Sequence, residues 1–151
     1  MEMILELFTA WLGSVGFCFL FHIRRERMIP ASMGGLFSWG IYLLFISRCE
    51  GVFIPTLFAS AFSALYAECL ARLMKAPATI FFIPAVVPLI PGSTLYYTMS
   101  WAVQEEWEMA GHYGLLTVQY ALGIAAGISL VWALCDMERK LVSNLRQPPN
   151  R

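Results

Sequence analysis

Charged residues are absent from five long stretches of this chain, and this constrains its fold more than any other feature. Each stretch has at least 17 residues without Asp, Glu, Lys or Arg, and they cover residues 7–23, 28–47, 51–67, 76–104 and 113–135. A membrane-crossing helix needs about 17–25 mostly apolar residues. Charged residues make up only 13% of the chain, against about 25% in a typical soluble domain. The sequence therefore predicts an all-α integral membrane protein with five transmembrane helices.

Little of the chain remains for other kinds of structure. We expect one five-helix transmembrane domain over residues 1–138 and a short polar cytoplasmic tail over residues 139–151. The chain has only two histidines, and no basic stripe is interleaved with exposed aromatic residues. The sequence thus gives no indication of a metal site, of a bound cofactor or of nucleic-acid binding. We expect the lipid bilayer to surround the protein.

The basic residues are segregated between the two sides that five spans would define. One side has only Arg48 and an acidic last loop. The other side has nine basic residues, namely Arg24, Arg25, Arg27, Arg72, Lys75, Arg139, Lys140, Arg146 and Arg151. Because basic loops stay in the cytoplasm, this bias predicts an N-terminus outside and a C-terminus inside. We expect a multi-pass protein of the bacterial cytoplasmic (inner) membrane.

The fourth uncharged run, residues 76–104, is too long for one simple span. As a single helix its 29 residues would measure about 44 Å, against about 30 Å for the bilayer core. It also contains Pro84, Pro88 and Pro91, each of which removes a backbone donor from a helix. Pro91 and Gly92 form a turn-prone pair. We therefore predict that the fourth helix is broken there, with half-helices over residues 78–89 and 94–101.

A broken helix inside a bilayer exposes backbone groups that can bind a solute. The prolines remove the donors for the carbonyls of Ile80, Pro84 and Val87, which can then receive an ammonium group or a coupling cation. Ser93 or Thr94 is expected to cap the second half-helix, whose N-terminus favours an anion. An amino acid suits both ends, and a dicarboxylate suits the N-terminus. The competing interpretation is that the prolines only kink the span.

The segment around the break resembles a known transporter family. Residues 71–99 read ARLMKAPATIFFIPAVVPLIPGSTLYYTM, which is similar to the signature of the threonine/serine exporter family and, more narrowly, of its small-subunit type. The matching positions are Lys75, Pro77, Ala78, Ile83, Pro84, Pro88, Leu89, Pro91, Gly92, Tyr96 or Tyr97, and Met99. A weaker similarity extends over the apolar segments on both sides, so the resemblance covers most of the chain.

The resemblance implies export of a small organic solute, driven by an ion gradient. Some members of that family are longer single chains, and others are split into a larger and a small subunit, as in a succinate exporter pair. The chain is thus expected to act with a larger exporter subunit on threonine and serine or on a dicarboxylate such as succinate. The expected solute-binding residues are Pro88, Pro91, Gly92, Ser93, Thr94 and Tyr96, the last because the family motif has a tyrosine there.

Other polar and small residues in the spans have less specific interpretations. Glu68 lies four residues before Arg72, and an interfacial ion pair is preferred over a role in ion coupling. Glu6, early in the first span, is expected to reach the membrane interface. Gly123 and Gly127 form a GxxxG motif, which allows close helix packing either within the chain or with another subunit.

Two other classes of function compete with transport. A non-transporting accessory subunit would only assemble or stabilise another membrane protein, and changes at Gly92 would then leave solute flux unaltered. An intramembrane aspartyl enzyme needs two facing aspartates, but Asp136 is the only aspartate in the chain. A serine enzyme needs a histidine near Ser93, and both histidines are expected near the membrane faces. We therefore expect no enzymatic activity.

Overall fold

The computed structural model describes residues 2–146 as a bundle of helices. Four of them are long and apolar enough to cross a membrane, namely α1 (Glu2–Leu20), α2 (Arg25–Ile46), α3 (Phe53–Met74) and α6 (Trp107–Arg146). Between α3 and α6 lie α4 (Thr79–Val86), the 3₁₀ turn Val87–Leu89 and α5 (Gly92–Val103). The segments on either side of the break meet at 49° and together form a fifth candidate span. The predicted all-α membrane fold, with its fourth helix broken at the Pro-Gly segment, is confirmed.

Helix α3 lies at the centre of the bundle, where it packs against α2, α4 and α6. Its buried face carries only small or hydroxyl side chains over most of its length, namely Thr56, Ala59, Ser60, Ser63, Ala64 and Ala67. Small residues let neighbouring helix backbones approach closely in a membrane. The hydroxyl of Ser63 donates to the carbonyl of Ala59, 2.9 Å away on the same helix. The buried polar atom is therefore satisfied without a partner helix.

The loops after α1 and α3 lie at one end of the bundle. Around the buried side chains of Cys18 and Phe81 pack residues from both loops and their flanking helices, among them Ile23, Met28, Met74 and Ala76. The C-terminal part of α6 reaches the same end, because Arg139 contacts Glu68 of α3. We call this the basic end, since Arg24 and Lys75 lie in the two loops and Arg139 and Lys140 lie in this part of α6.

Helix α6 extends well beyond a single membrane span. Its 40 residues measure about 60 Å, roughly twice the bilayer core. The helix continues past residue 138, where we placed the start of the polar tail, and runs to Arg146. An ion pair of 2.7 Å between Lys140 and Asp136, one turn apart, supports this extension. Residues 147–151 of the predicted tail lie outside the described residues.

Candidate functional site

The two halves of the broken span have very different surroundings. Helix α4 packs against α1, α2 and α3, and its Phe81, Pro84 and Ala85 are buried. Helix α5 packs against α6, and none of its residues is buried. The break therefore separates a half that belongs to the bundle core from a half that lies on its surface.

Two serine hydroxyls from other helices bind the carbonyls at the end of α4. Ser14 of α1 donates to the carbonyl of Pro84 at 2.9 Å, and Ser38 of α2 donates to the carbonyl of Ala85 at 2.5 Å. The first of these carbonyls has no helical donor, because Pro88 at the fourth following position lacks an N–H. Broken backbone in a membrane is tolerated where neighbouring helices satisfy it. Ser14 and Ser38 do this here.

A pair of glycines lets α2 approach the break closely enough for these contacts. A Cβ on Gly35 would clash with the Ser14 hydroxyl and lie 3.0 Å from the carbonyl oxygen of Pro84. A Cβ on Gly34 would lie 2.8 Å from the Cβ of Ala85. Any larger residue would push α2 away from α4. We call this contact of Ser14, Gly35 and Pro84 the α1–α2–α4 crossing.

The sequence analysis did not predict the crossing, because it assigned no contact to the Gly34-Gly35 pair. The available signal was Ser38, which follows Gly35 by three residues and so shares its helix face. A glycine and a hydroxyl on one face of a membrane helix indicate close packing with a polar contact. Ser14 gave no comparable signal, since its partner depends on which helices are neighbours.

Two of the three carbonyls predicted to bind a cation each accept a hydrogen bond in the structure. The carbonyl of Pro84 accepts from Ser14, and that of Val87 accepts from the N–H of Ile90 at 3.1 Å. A carbonyl oxygen has two lone pairs, so each can still accept a second donor or a cation. Ile80 lines a cavity near the basic end. The role of these three carbonyls stays a prediction.

The start of α5 differs from our expectation. Pro91, with φ −79°, precedes the helix as its N-cap, and no side chain caps it. The expected cap from Ser93 or Thr94 is wrong, because the helix begins at Gly92 and both residues fall inside its first turn. The hydroxyl of Thr94 instead donates back to the carbonyl of Pro91 at 3.1 Å. Among the described residues, the N–H groups of Ser93 and Thr94 have no acceptor.

The first turn of α5 is open to its surroundings. A Cβ on Gly92 would meet nothing within 4 Å. Tyr96 is 66% exposed one turn further along. Thr94 faces α6, where the hydroxyl of Thr117 donates to the hydroxyl of Thr94 at 2.9 Å. Of the predicted solute-binding residues in α5, Gly92, Ser93 and Tyr96 are thus exposed, whereas Thr94 contacts α6.

Two cavities lie along the broken span. One, which we call the Glu6 cavity, has a volume of about 270 Å³ and is lined by Glu6, Thr9, Ala10, Trp39 and Pro88. The other, the Thr79 cavity, has a volume of about 210 Å³ and is lined by Phe21, Ile23, Thr79, Ile80, Ile83 and Pro84. Along α1, Ser14 lies between the residues that line the first cavity and those near the second. The crossing therefore separates a cavity near the basic end from a cavity towards the opposite end.

Glu68 lies at the basic end, among ion pairs that join α3 to α6. Its carboxylate is 2.7 Å from Arg139 and 4.0 Å from Arg72, and Arg72 is 3.2 Å from Glu138. Glu68 is only 9% exposed, and its two arginine partners offset the cost of burying its charge. This geometry favours the ion-pair interpretation. A part for Glu68 in ion coupling stays a prediction.

Gly123 and Gly127 lie on the side of α6 that faces α3. A Cβ on Gly123 would lie 2.9 Å from the carbonyl oxygen of Phe53, and one on Gly127 would lie 2.5 Å from that of Leu57 and clash with the Ser60 hydroxyl. The same hydroxyl donates to the carbonyl of Gly123 at 3.2 Å. In this structure the motif packs two helices of the same chain.

Comparison with known proteins gives one family. A family model described as threonine/serine exporter, ThrE, matches residues 6–134, from the first turns of α1 to the membrane part of α6. No curated protein and no solved structure matches the chain. The matched range includes the whole broken span and both cavities.

Proposed function

Because the chain belongs to the threonine/serine exporter family, a family of membrane transport proteins, we propose that it is the transmembrane small subunit of a two-component secondary exporter. Its solutes are small amino acids such as threonine and serine, or dicarboxylates such as succinate. It acts with a larger exporter subunit in the bacterial inner membrane, with its N-terminus outside and its C-terminus in the cytoplasm. The segregation of the basic residues supports this orientation.

The observation that carries this proposal is the pair of cavities on either side of the α1–α2–α4 crossing. A carrier with alternating access needs a solute path that is closed between two compartments, with the site at a discontinuous helix. The Thr79 cavity lies towards the basic, cytoplasmic end, and the Glu6 cavity lies towards the opposite one. Pro84 lines the first and Pro88 the second, so one broken segment reaches both.

The start of α5 is the proposed site for a carboxylate of the solute. The free N–H groups of Ser93 and Thr94 and the positive end of the helix dipole favour an anion there. The open space beside Gly92 leaves room for it. Pro88 and Pro91 hold the backbone open at this point, and Tyr96 lies on the exposed side of the same helix. The carbonyls of Ile80, Pro84 and Val87 are left for a cation.

A partner subunit would complete the path on the side of α5. This half-helix has no buried residue and packs on α6. Five spans also place the two termini on opposite sides, and a partner with the inverted arrangement would give the repeat plan of many carriers. In the proposed cycle, the two subunits rock against each other, and the solute passes from the Thr79 cavity to the Glu6 cavity.

The same exposed half-helix favours a second candidate, an accessory subunit that only stabilises a transporting partner. Both candidates predict a complex, but only the exporter predicts that the open groups of α5 affect flux. A change that leaves the complex intact and abolishes export separates the two.

An export assay tests the proposal directly. Cells that lack their own exporters would express this chain alone, a candidate large-subunit gene alone, or both together. We expect threonine and serine, or succinate, to accumulate in the medium only when both chains are present. No export by verified membrane-inserted chains would contradict the exporter role.

A further inference from the structure

Glu6, an exposed residue near the start of α1, lines a cavity beside the break. Glu6 lines the Glu6 cavity together with Pro88, which belongs to the broken span. We expected this side chain only to reach the membrane interface, and that expectation did not connect it with the break. Polar and ionisable groups in membrane spans are costly, and those that face a cavity mark solute or ion paths. The position of Glu6 therefore makes it a candidate ligand for a solute or an ion.

No positive charge of the described residues compensates Glu6. None of the other residues that line the cavity is basic, and Glu6 forms no salt bridge within residues 2–146. Glu68 of α3, by contrast, has two arginine partners. An unpaired carboxylate in a partly apolar cavity attracts a cation of suitable size. The cavity, at about 270 Å³, can take a small organic cation.

Trp39 is the largest side chain in the lining of the same cavity. Its indole Nε1–H is buried and has no acceptor, and its ring stacks on that of Tyr42 with centroids 4.9 Å apart. The Tyr42 hydroxyl is in turn paired with that of Tyr120 at 2.6 Å. Trp11 and Trp101 also have a buried indole N–H without an acceptor, and the inaccessible Nε1 of Trp39 is not in reach of a solute. Trp39 therefore contributes ring surface to the cavity, and an indole ring beside a carboxylate suits an ammonium group.

We propose that the Glu6 cavity binds the primary ammonium group of the transported solute, with Glu6 as its carboxylate ligand and Trp39 as part of the cavity wall. The inference rests on the proposed exporter function. It assigns the ammonium group to Glu6 and leaves the carbonyls of the break to a coupling cation. A dicarboxylate would be repelled by Glu6, so the site selects a zwitterionic amino acid.

Binding measurements on the purified wild-type complex and its variants test this. The probes are L-threonine, its analogue 3-hydroxybutyrate, which lacks the ammonium group, and succinate. We expect Glu6→Gln to weaken threonine binding by at least about tenfold, as the loss of one partner of a charge pair in a binding site does. Binding of 3-hydroxybutyrate should stay unchanged. Glu50→Gln removes an exposed acidic residue outside the cavity lining and should leave both probes unaffected.

Each other outcome overturns the inference. If Glu6→Gln weakens both probes equally, Glu6 supports the structure or carries a coupling proton and does not bind the ammonium. If the complex exports threonine and Glu6→Gln binds it as the wild type does, the inference alone fails. If the wild type transports succinate and not threonine, the selectivity is wrong. If the wild type exports neither solute, the exporter function fails, and the inference falls with it.

Discussion

Helices α4 and α5 come from one uncharged stretch of sequence, yet the bundle treats them in opposite ways. Helix α4 lies among three other helices, and serine hydroxyls bind two of its last carbonyls. Helix α5 packs on α6, has no buried residue and begins without a side-chain cap. The first half has the contacts of a scaffold, and the second has the open polar groups of a binding site. Substitutions in the two halves should therefore fail in different ways.

The largest effect is expected at the crossing, from Gly35→Leu. A Cβ alone would clash with the Ser14 hydroxyl and crowd the carbonyl of Pro84, so α2 must move away from α1 and α4. Overpacking typically costs about 1–3 kcal/mol, and the backbone contact at Gly35 puts this substitution at the upper end. We expect poor membrane insertion, a lower Tm in detergent and no transport. Gly16→Leu is the matched control, since nothing lies within 4 Å of a Cβ on Gly16; equal stability of the two variants would contradict the crossing.

The second effect is expected at the start of α5, from Gly92→Leu. This position is also open, so the variant should insert, assemble and melt as the wild type does. The leucine side chain would, however, fill the space where the carboxylate of the solute is proposed to bind. We expect export to be abolished in the two-chain assay, with normal amounts of the complex. Normal flux would favour the accessory-subunit role over the exporter role. Gly16→Leu again serves as the control, because it adds the same side chain at an open position away from the proposed site.

A smaller loss of stability is expected from Ser38→Ala, on the scaffold side of the break. The change leaves the carbonyl of Ala85 without its 2.5 Å donor. Hydrogen bonds between membrane helices contribute about 1 kcal/mol, so the Tm should fall by a few degrees. Transport should fall only in proportion to the amount of folded protein. A Tm equal to that of the wild type would show that another group takes over the carbonyl.

The sequence predicted the spans and the break because their signals are local. Absence of charge over a span, or a proline within a helix, acts on the residues that carry it and their immediate neighbours. Polarity, by contrast, ends a membrane span without ending a helix, so α6 continues past residue 138 while its Asp136–Lys140 pair supports the turn. The cap was wrong because Pro91 starts the helix before Ser93 or Thr94 can do so.

The contacts that distinguish α4 from α5 could not be predicted in the same way. Ser14 binds a carbonyl 70 residues away, and nothing near Ser14 in the sequence indicates this partner. The Glu6 cavity likewise needs α1, α2 and the break to meet. Both features depend on which helices are neighbours, and a periodic apolar pattern does not fix that choice when lipid can cover any apolar face.

The smallest effect is expected from Ser93→Ala, on the open side of the break. The Ser93 hydroxyl has no hydrogen bond in the structure among residues 2–146, so its loss should leave the Tm unchanged, unlike that of Ser38. If the hydroxyl donates to the carboxylate of the solute, its removal costs about 1 kcal/mol, or roughly a fivefold lower flux at limiting solute. Ser93→Thr keeps the hydroxyl and should retain most of the flux. An equal loss of flux in both variants would contradict a role for the hydroxyl, because threonine keeps that group and alanine does not. The shape of the first turn would then matter, and the free N–H groups would be the main ligands of the solute.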